Sequence, residues 1–201
     1  MRISEHIYYL IILTCIVSVS LASCNAKNEQ ASSINESAEV LDDESIYQIP
    51  GEWRNQNNEH FQLTNLNGKI PVVSMIFTHC GYACPRIVAD MKNIEEQVPQ
   101  DKRSEVVFVL VTFDTERDHP DRLKSFAREM ALGDNWILLH GNDEEVRTLS
   151  MLLDIKYKKQ PNGDFAHSNS ITLLDKKGVI LSKVEGLGNN PQPILNKLQS
   201  L

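Results

Sequence analysis

The chain has 201 residues, a net charge of −7 at neutral pH and 41% hydrophobic residues, a composition ordinary for a globular protein. No basic patch is dense enough to address nucleic acid, and the mild acidity gives no attraction to anionic lipid. Once an N-terminal segment is set aside, the length allows one domain with a substantial core.

Ile7 to Val19 is an apolar run, shorter than a membrane span and suited to the core of a signal peptide, led by Arg2 and offset by Glu5. Leu21-Ala22-Ser23-Cys24 follows with the residue pattern of a bacterial lipobox. Residues 1–23 are therefore expected to be a lipoprotein signal peptide, with Cys24 acylated as the mature N-terminus. The competing reading is a short uncleaved anchor followed by an unrelated cysteine. Either reading puts the domain on the extracytoplasmic (periplasmic) side, held at the cell membrane. Residues 24–45 are rich in Ser, Asn, Glu and Ala and read as a disordered tether, so the folded domain is expected over 46–201.

Trp53, Phe61 and Leu63 suggest a short leading hairpin, with Asn67-Gly68 as a turn. Pro71 to Phe77 is apolar almost throughout, as a strand buried on both faces would be. Cys80-Gly81-Tyr82-Ala83-Cys84-Pro85 comes next, with Pro85 suited to a first helical position. Ile87, Val88, Met91, Ile94 and Val98 then recur at helical spacing. Val106 to Phe113 reads as a central strand, and Pro120 opens a helix with Leu123, Phe126, Ala127 and Met130 inward and Gly133 as its stop. Trp136 to Leu139 is a third strand. Asn142 and Glu145 form a capping box for a helix that turns Val146, Leu149, Leu152 and Leu153 inward. Ile171–Leu174 and Val179–Val184 flank Asp175-Lys176-Lys177-Gly178 as a hairpin, and a last helix follows Pro191. This order predicts an α/β, thioredoxin-like fold: a central mixed sheet with helices on both faces, preceded by the short hairpin.

The two cysteines sit at a strand-to-helix turn, where unpaired N–H groups and the helix dipole favour thiolate. Thiolates attack disulfides and bind soft metals. Cys80 and Cys84 are the cysteines left in the domain once Cys15 is removed and Cys24 is acylated. A disulfide between them would close a tiny loop and constrain little of the unfolded chain, so a purely structural staple is the weaker reading. The Cys-x-x-x-Cys spacing is one residue wider than the thioredoxin dithiol and leaves room for an ion. Two thiolates suit Cu(I) or part of a zinc site. His167 is the candidate third donor, since its loop should face the cysteine turn; the alternative is a solvated histidine or one satisfied by a core partner.

Phe77-Thr78-His79-Cys80-x-x-x-Cys84-Pro85, Thr112-Phe113-Asp114-Thr115-Glu116-Arg117-Asp118 and His167-Ser168 together resemble the Sco/SenC family. Ile46-Tyr47, Trp53 and Leu66-Asn67-Gly68-Lys69 resemble the start of its bacterial members. Thr115 departs from the pattern, where many members have proline. The resemblance implies a membrane-attached thioredoxin-like copper protein that serves the binuclear copper centre of cytochrome c oxidase. It implies one copper per chain on Cys80, Cys84 and His167, and redox activity of the cysteine pair. Implied partners are the copper-bearing oxidase subunit, with another copper chaperone or thiol reductase. A thiol-disulfide oxidoreductase without obligate metal is the second reading, and a redox or copper sensor the third.

The remaining polar residues carry less. His79 adjoins Cys80, and neighbours in an extended segment point to opposite faces. His60, His119 and His140 lie in no motif. Asp114 and Asp118 read either as a docking or supporting patch beside the site or as parts of a solvated loop.

Overall fold

The computed structural model describes residues 43–201, so the signal segment, Cys24 and all but the end of the tether lie outside the described residues. Ser45 caps a 3-10 turn at Ile46–Gln48, and Ile46 and Tyr47 are buried.

The strands are β1 (Trp53–Asn55), β2 (His60–Phe61), β3 (Ile70–Ile76), β4 (Val106–Thr112), β5 (Trp136–His140), β6 (Tyr157–Lys159), β7 (Phe165–His167), β8 (Ser170–Leu174) and β9 (Ile180–Glu185). The helices are α1 (Ala83–Gln97), α2 (Pro120–Glu129), α3 (Asp143–Leu152) and α4 (Gln192–Gln199). Seven strands form one sheet in the order β2-β1-β5-β4-β3-β8-β9. β3, β4 and β5 are parallel, while β1, β8 and β9 join antiparallel. The mixed sheet and the four helices make the expected thioredoxin-like fold.

β3 is a central strand, between β4 and β8, and lacks alternation because both of its faces are covered; all seven of its residues are buried. α1 lays Ile87, Val88, Met91 and Ile94 into the core, and its Lys92 donates to the Met130 carbonyl after α2. The leading hairpin exists, but Leu63 belongs to a 3-10 turn that follows it. Asn67-Gly68 is a turn, with Gly68 at φ 80°.

Three details differ from the sequence reading. α1 starts at Ala83, so Pro85 is its third residue; its missing N–H still falls among the orphan donors of the first turn. α2 stops before Gly133. Ala131 takes the left-handed conformation at φ 49°, while Leu132 N–H bonds the Ala127 carbonyl and Ala131 N–H the Arg128 carbonyl. Leu152 is 50% exposed, whereas Leu153 is buried. The helix ends at that point, and Asp154 closes it at φ 49° with the same bonding pattern.

Candidate metal centre

β3 ends at Ile76 in the middle of the sheet, and α1 begins seven residues later. The intervening turn carries Cys80, while Cys84 sits in the first turn of α1. Both cysteines are free thiols. Cys84 is fully buried and Cys80 partly exposed. Backbone donors face both sulfurs: Cys84 N–H lies 3.4 Å from Cys80 Sγ, and Phe77 N–H lies 3.4 Å from Cys84 Sγ. The first is an orphan N–H of a helix terminus, a donor that steadies a thiolate. Burial is the main force on Cys84 and pushes its thiol far up; nearby Cys80 adds to this, and the Phe77 N–H opposes it.

His167 reaches the cysteines from an element the sequence reading missed. It is the last residue of β7, which pairs with β6 in a separate two-stranded sheet through Tyr157↔His167 and Lys159↔Phe165. Pro161-Asn162-Gly163 in the connecting turn was the available signal, and Gly163 takes φ 84° there. Aromatic packing fixes the ring. His167 lies 5.0 Å from Phe113 and 5.9 Å edge-on from Phe77, centroid to centroid, and Phe165 packs on both phenyl rings. Burial lowers the His167 pKa, with the Ser168 carbonyl opposing. The ring therefore favours the neutral form. Its Nδ1 lies 3.1 Å from the Ser168 carbonyl, so an Nδ1–H tautomer leaves the Nε2 lone pair for a ligand.

The structure brings Cys80, Cys84 and His167 together: two Sγ atoms and one ring nitrogen lie within 4.8 Å of one another. Two soft thiols and an imidazole fit Cu(I) or Zn(II) in kind, and three protein donors leave out the fourth a closed zinc site would need. The same two thiols can form a disulfide, so the centre can also carry two electrons.

The residues beside it are buried, which removes the solvated-loop reading for Asp114 and Asp118, at 1% and 0% exposure. Asp118 accepts from Thr78 N–H at 2.7 Å, Thr78 Oγ1 at 2.6 Å and Thr112 Oγ1 at 2.7 Å. It thus holds the segment that leads into Cys80. His79 turns toward Asp118, with Nδ1 3.4 Å from Oδ1. Thr115 donates to Asp143, a bond proline could not make. Arg117 pairs with Asp114 and donates to the Gly163 carbonyl at 2.6 Å, tying the β4 end to the turn of the His167 hairpin. Arg117, Thr78 and Thr112 stand within the motifs of the resemblance, but the sequence reading assigned them no role of their own. His119 and His140 are not among the donors gathered with the cysteines and pack on each other at 5.3 Å.

Comparison with known proteins bears on the family and the fold. The SCO1/SenC family model matches residues 42–201. The SCO1 protein homolog of Bacillus subtilis (strain 168) is 28% identical over 146 residues, spanning 71% of this chain and 75% of its own. The structure of BsSco, described through a disulfide switch in a member of the Sco family of cytochrome c oxidase assembly proteins, is 27% identical. It superposes with a TM-score of 0.65 over 77% of this chain and 92% of that one. Arabidopsis thaliana ScoI with copper bound gives a TM-score of 0.67 over 76% of this chain and 98% of its own; at 19% identity this likeness concerns the fold.

Proposed function

Because the chain belongs to the SCO1/SenC family, we propose that it is a copper-binding assembly factor serving the binuclear copper centre of cytochrome c oxidase. The observation that carries this reading is the convergence of Cys80, Cys84 and His167 within 4.8 Å. Copper is cargo here, held by two thiolates and an imidazole and passed on by ligand exchange. Cys80, the partly exposed sulfur, is the donor an acceptor thiol can approach first. Reduced cysteines are required, because a disulfide offers no thiolate, so loading is tied to redox state. The copper-bound ScoI and the family description of BsSco support the same reading.

The proposed address is the extracytoplasmic face of the cell membrane, through acylated Cys24; the apolar run and Leu21-Ala22-Ser23-Cys24 support it. Among the described residues, no helix is long and apolar enough to cross a membrane.

A thiol-disulfide role can coexist with copper handling. The exposed-and-buried arrangement of the pair favours it, with Cys80 as attacking and Cys84 as resolving sulfur. The test is transfer. Copper-loaded protein, at least two equivalents per acceptor, is mixed with the reduced, copper-free soluble domain of the oxidase subunit. A mild oxidant then withdraws one electron per centre where copper arrives as Cu(I), and the absorption of the mixed-valence binuclear centre is followed. Appearance of the centre, and its absence with a Cys80→Ser/Cys84→Ser donor, supports delivery. If the centre forms only when free copper is added, and this protein merely reduces the acceptor's disulfide, the oxidoreductase reading replaces it.

A further inference from the structure

A second constellation lies beside the cysteines and is built of different atoms. One ring nitrogen of His79 and one oxygen each from Asp114 and Asp118 lie within 4.8 Å of one another. Both carboxylates are buried, at 1% and 0% exposure. Asp114 Oδ1 is itself buried and has no hydrogen-bond partner, although Oδ2 pairs with Arg117. A buried carboxylate oxygen without a donor is costly, and two such groups close together repel unless a cation compensates them. Arg117 compensates one. Asp118 receives two hydroxyls and an amide, and the His79 Nδ1 lies 3.4 Å from its Oδ1.

We propose that His79, Asp114 and Asp118 form a second metal site for a divalent first-row cation, Zn(II) or Cu(II). One imidazole nitrogen and two carboxylate oxygens are borderline-to-hard donors. They suit these ions and do not suit Cu(I), which the two thiols beside them prefer. The surroundings are those of a ligand set. Thr78 and Thr112 hydroxyls hold the Asp118 carboxylate, and Arg117 holds Asp114 by its other oxygen, which aims both groups. An ion between His79 and Asp118 would replace a long contact of 3.4 Å and supply the partner Asp114 Oδ1 lacks. His79 is 45% exposed and gives the ion a way in from solvent. Because His79 precedes Cys80, an ion held there sits on the same turn as the dithiol. This inference does not depend on what the dithiol carries.

The test uses the full, untagged chain in detergent, with Cys15 and Cys24 blocked by alkylation wherever they are free, in two forms whose dithiol centre cannot bind metal: the Cys80→Ser/Cys84→Ser/His167→Ala variant and the wild type oxidised to its disulfide. Each is titrated with zinc chloride by calorimetry and with Cu(II) by electron paramagnetic resonance, folding being checked by circular dichroism. The expected result is one equivalent bound in either form, with superhyperfine splitting from one nitrogen and the g and copper hyperfine values of a mixed nitrogen-and-oxygen site for Cu(II). Binding should weaken at least tenfold on adding His79→Ala or the isosteric Asp114→Asn, and be unchanged by His119→Ala. Absence of binding in both forms overturns the proposal. So does binding that survives His79→Ala and Asp114→Asn, which would mark an adventitious surface site. The copper content of the reduced wild type is read separately, so failure of this site and failure of the dithiol site give different results.

Discussion

Cys80 and Cys84 are unequal although they are four positions apart. The Cys80 sulfur has a backbone donor and a path to solvent, whereas the Cys84 sulfur is enclosed and burial raises its pKa. Alkylation of the reduced, metal-free protein at neutral pH should therefore label Cys80 first, with Cys84 protected until the protein is unfolded; mass spectrometry of timed samples reads this directly. Equal labelling of both would mean that the turn opens freely. The sequence placed both sulfurs at a helix start but could not rank them, because rank depends on which one the sheet covers. The sequence reading set His79 apart from the copper donors by taking the segment as extended; residues 78–79 instead form a turn closed by Cys80 N–H on the Phe77 carbonyl, and His79 turns to Asp118 within it.

Elements set how firmly the donors are held. The cysteines stand on β3 and α1, inside the main sheet and core, but His167 stands on a separate two-stranded ribbon. Arg117 bridges the two parts through Asp114 and Gly163. Arg117→Gln should weaken copper binding by about tenfold, the scale of lost supporting contacts around a metal ligand, while leaving Cys80 alkylation rates unchanged. A chelator competition with Arg117→Gln beside the wild type checks it. Helix ends offer a second prediction. Ala131 holds φ 49° at the close of α2, a conformation that costs a side-chain-bearing residue about 1 kcal/mol and glycine little. Ala131→Gly should raise stability by up to about 1 kcal/mol in urea unfolding. The long apolar strands and amphipathic helices were legible in the sequence because burial on one or both faces sets their pattern. The β6–β7 ribbon was not. Its strands have three residues each, and Tyr157-Lys158-Lys159 shows no apolar face, so only its turn residues marked it. Gly133 misled for a related reason: a stable carbonyl-capping pattern can form on alanine once tertiary contacts hold the helix end.

For the whole molecule, buried titratable groups define a stability window. Burial lowers the pKa of His140 and His167, so the unfolded chain takes up protons first as pH falls below about 6.5, and stability drops with acidification. Burial raises Tyr47, Tyr157 and Cys84, so the unfolded chain loses protons first above about pH 8.5–10, and stability drops again. Urea midpoints of the reduced protein should therefore peak between about pH 7 and 8.5; a midpoint still rising at pH 5 would contradict this. The central claim is that Cys80, Cys84 and His167 together hold one copper. The direct measurement is copper stoichiometry of the fully reduced chain, loaded without oxygen and challenged with a competing chelator, beside His167→Ala. One retained copper per chain is expected, with a loss of affinity of at least about 100-fold in the variant, more than outer contacts alone supply. Equal retention by His167→Ala, or no retention by the wild type, would contradict it.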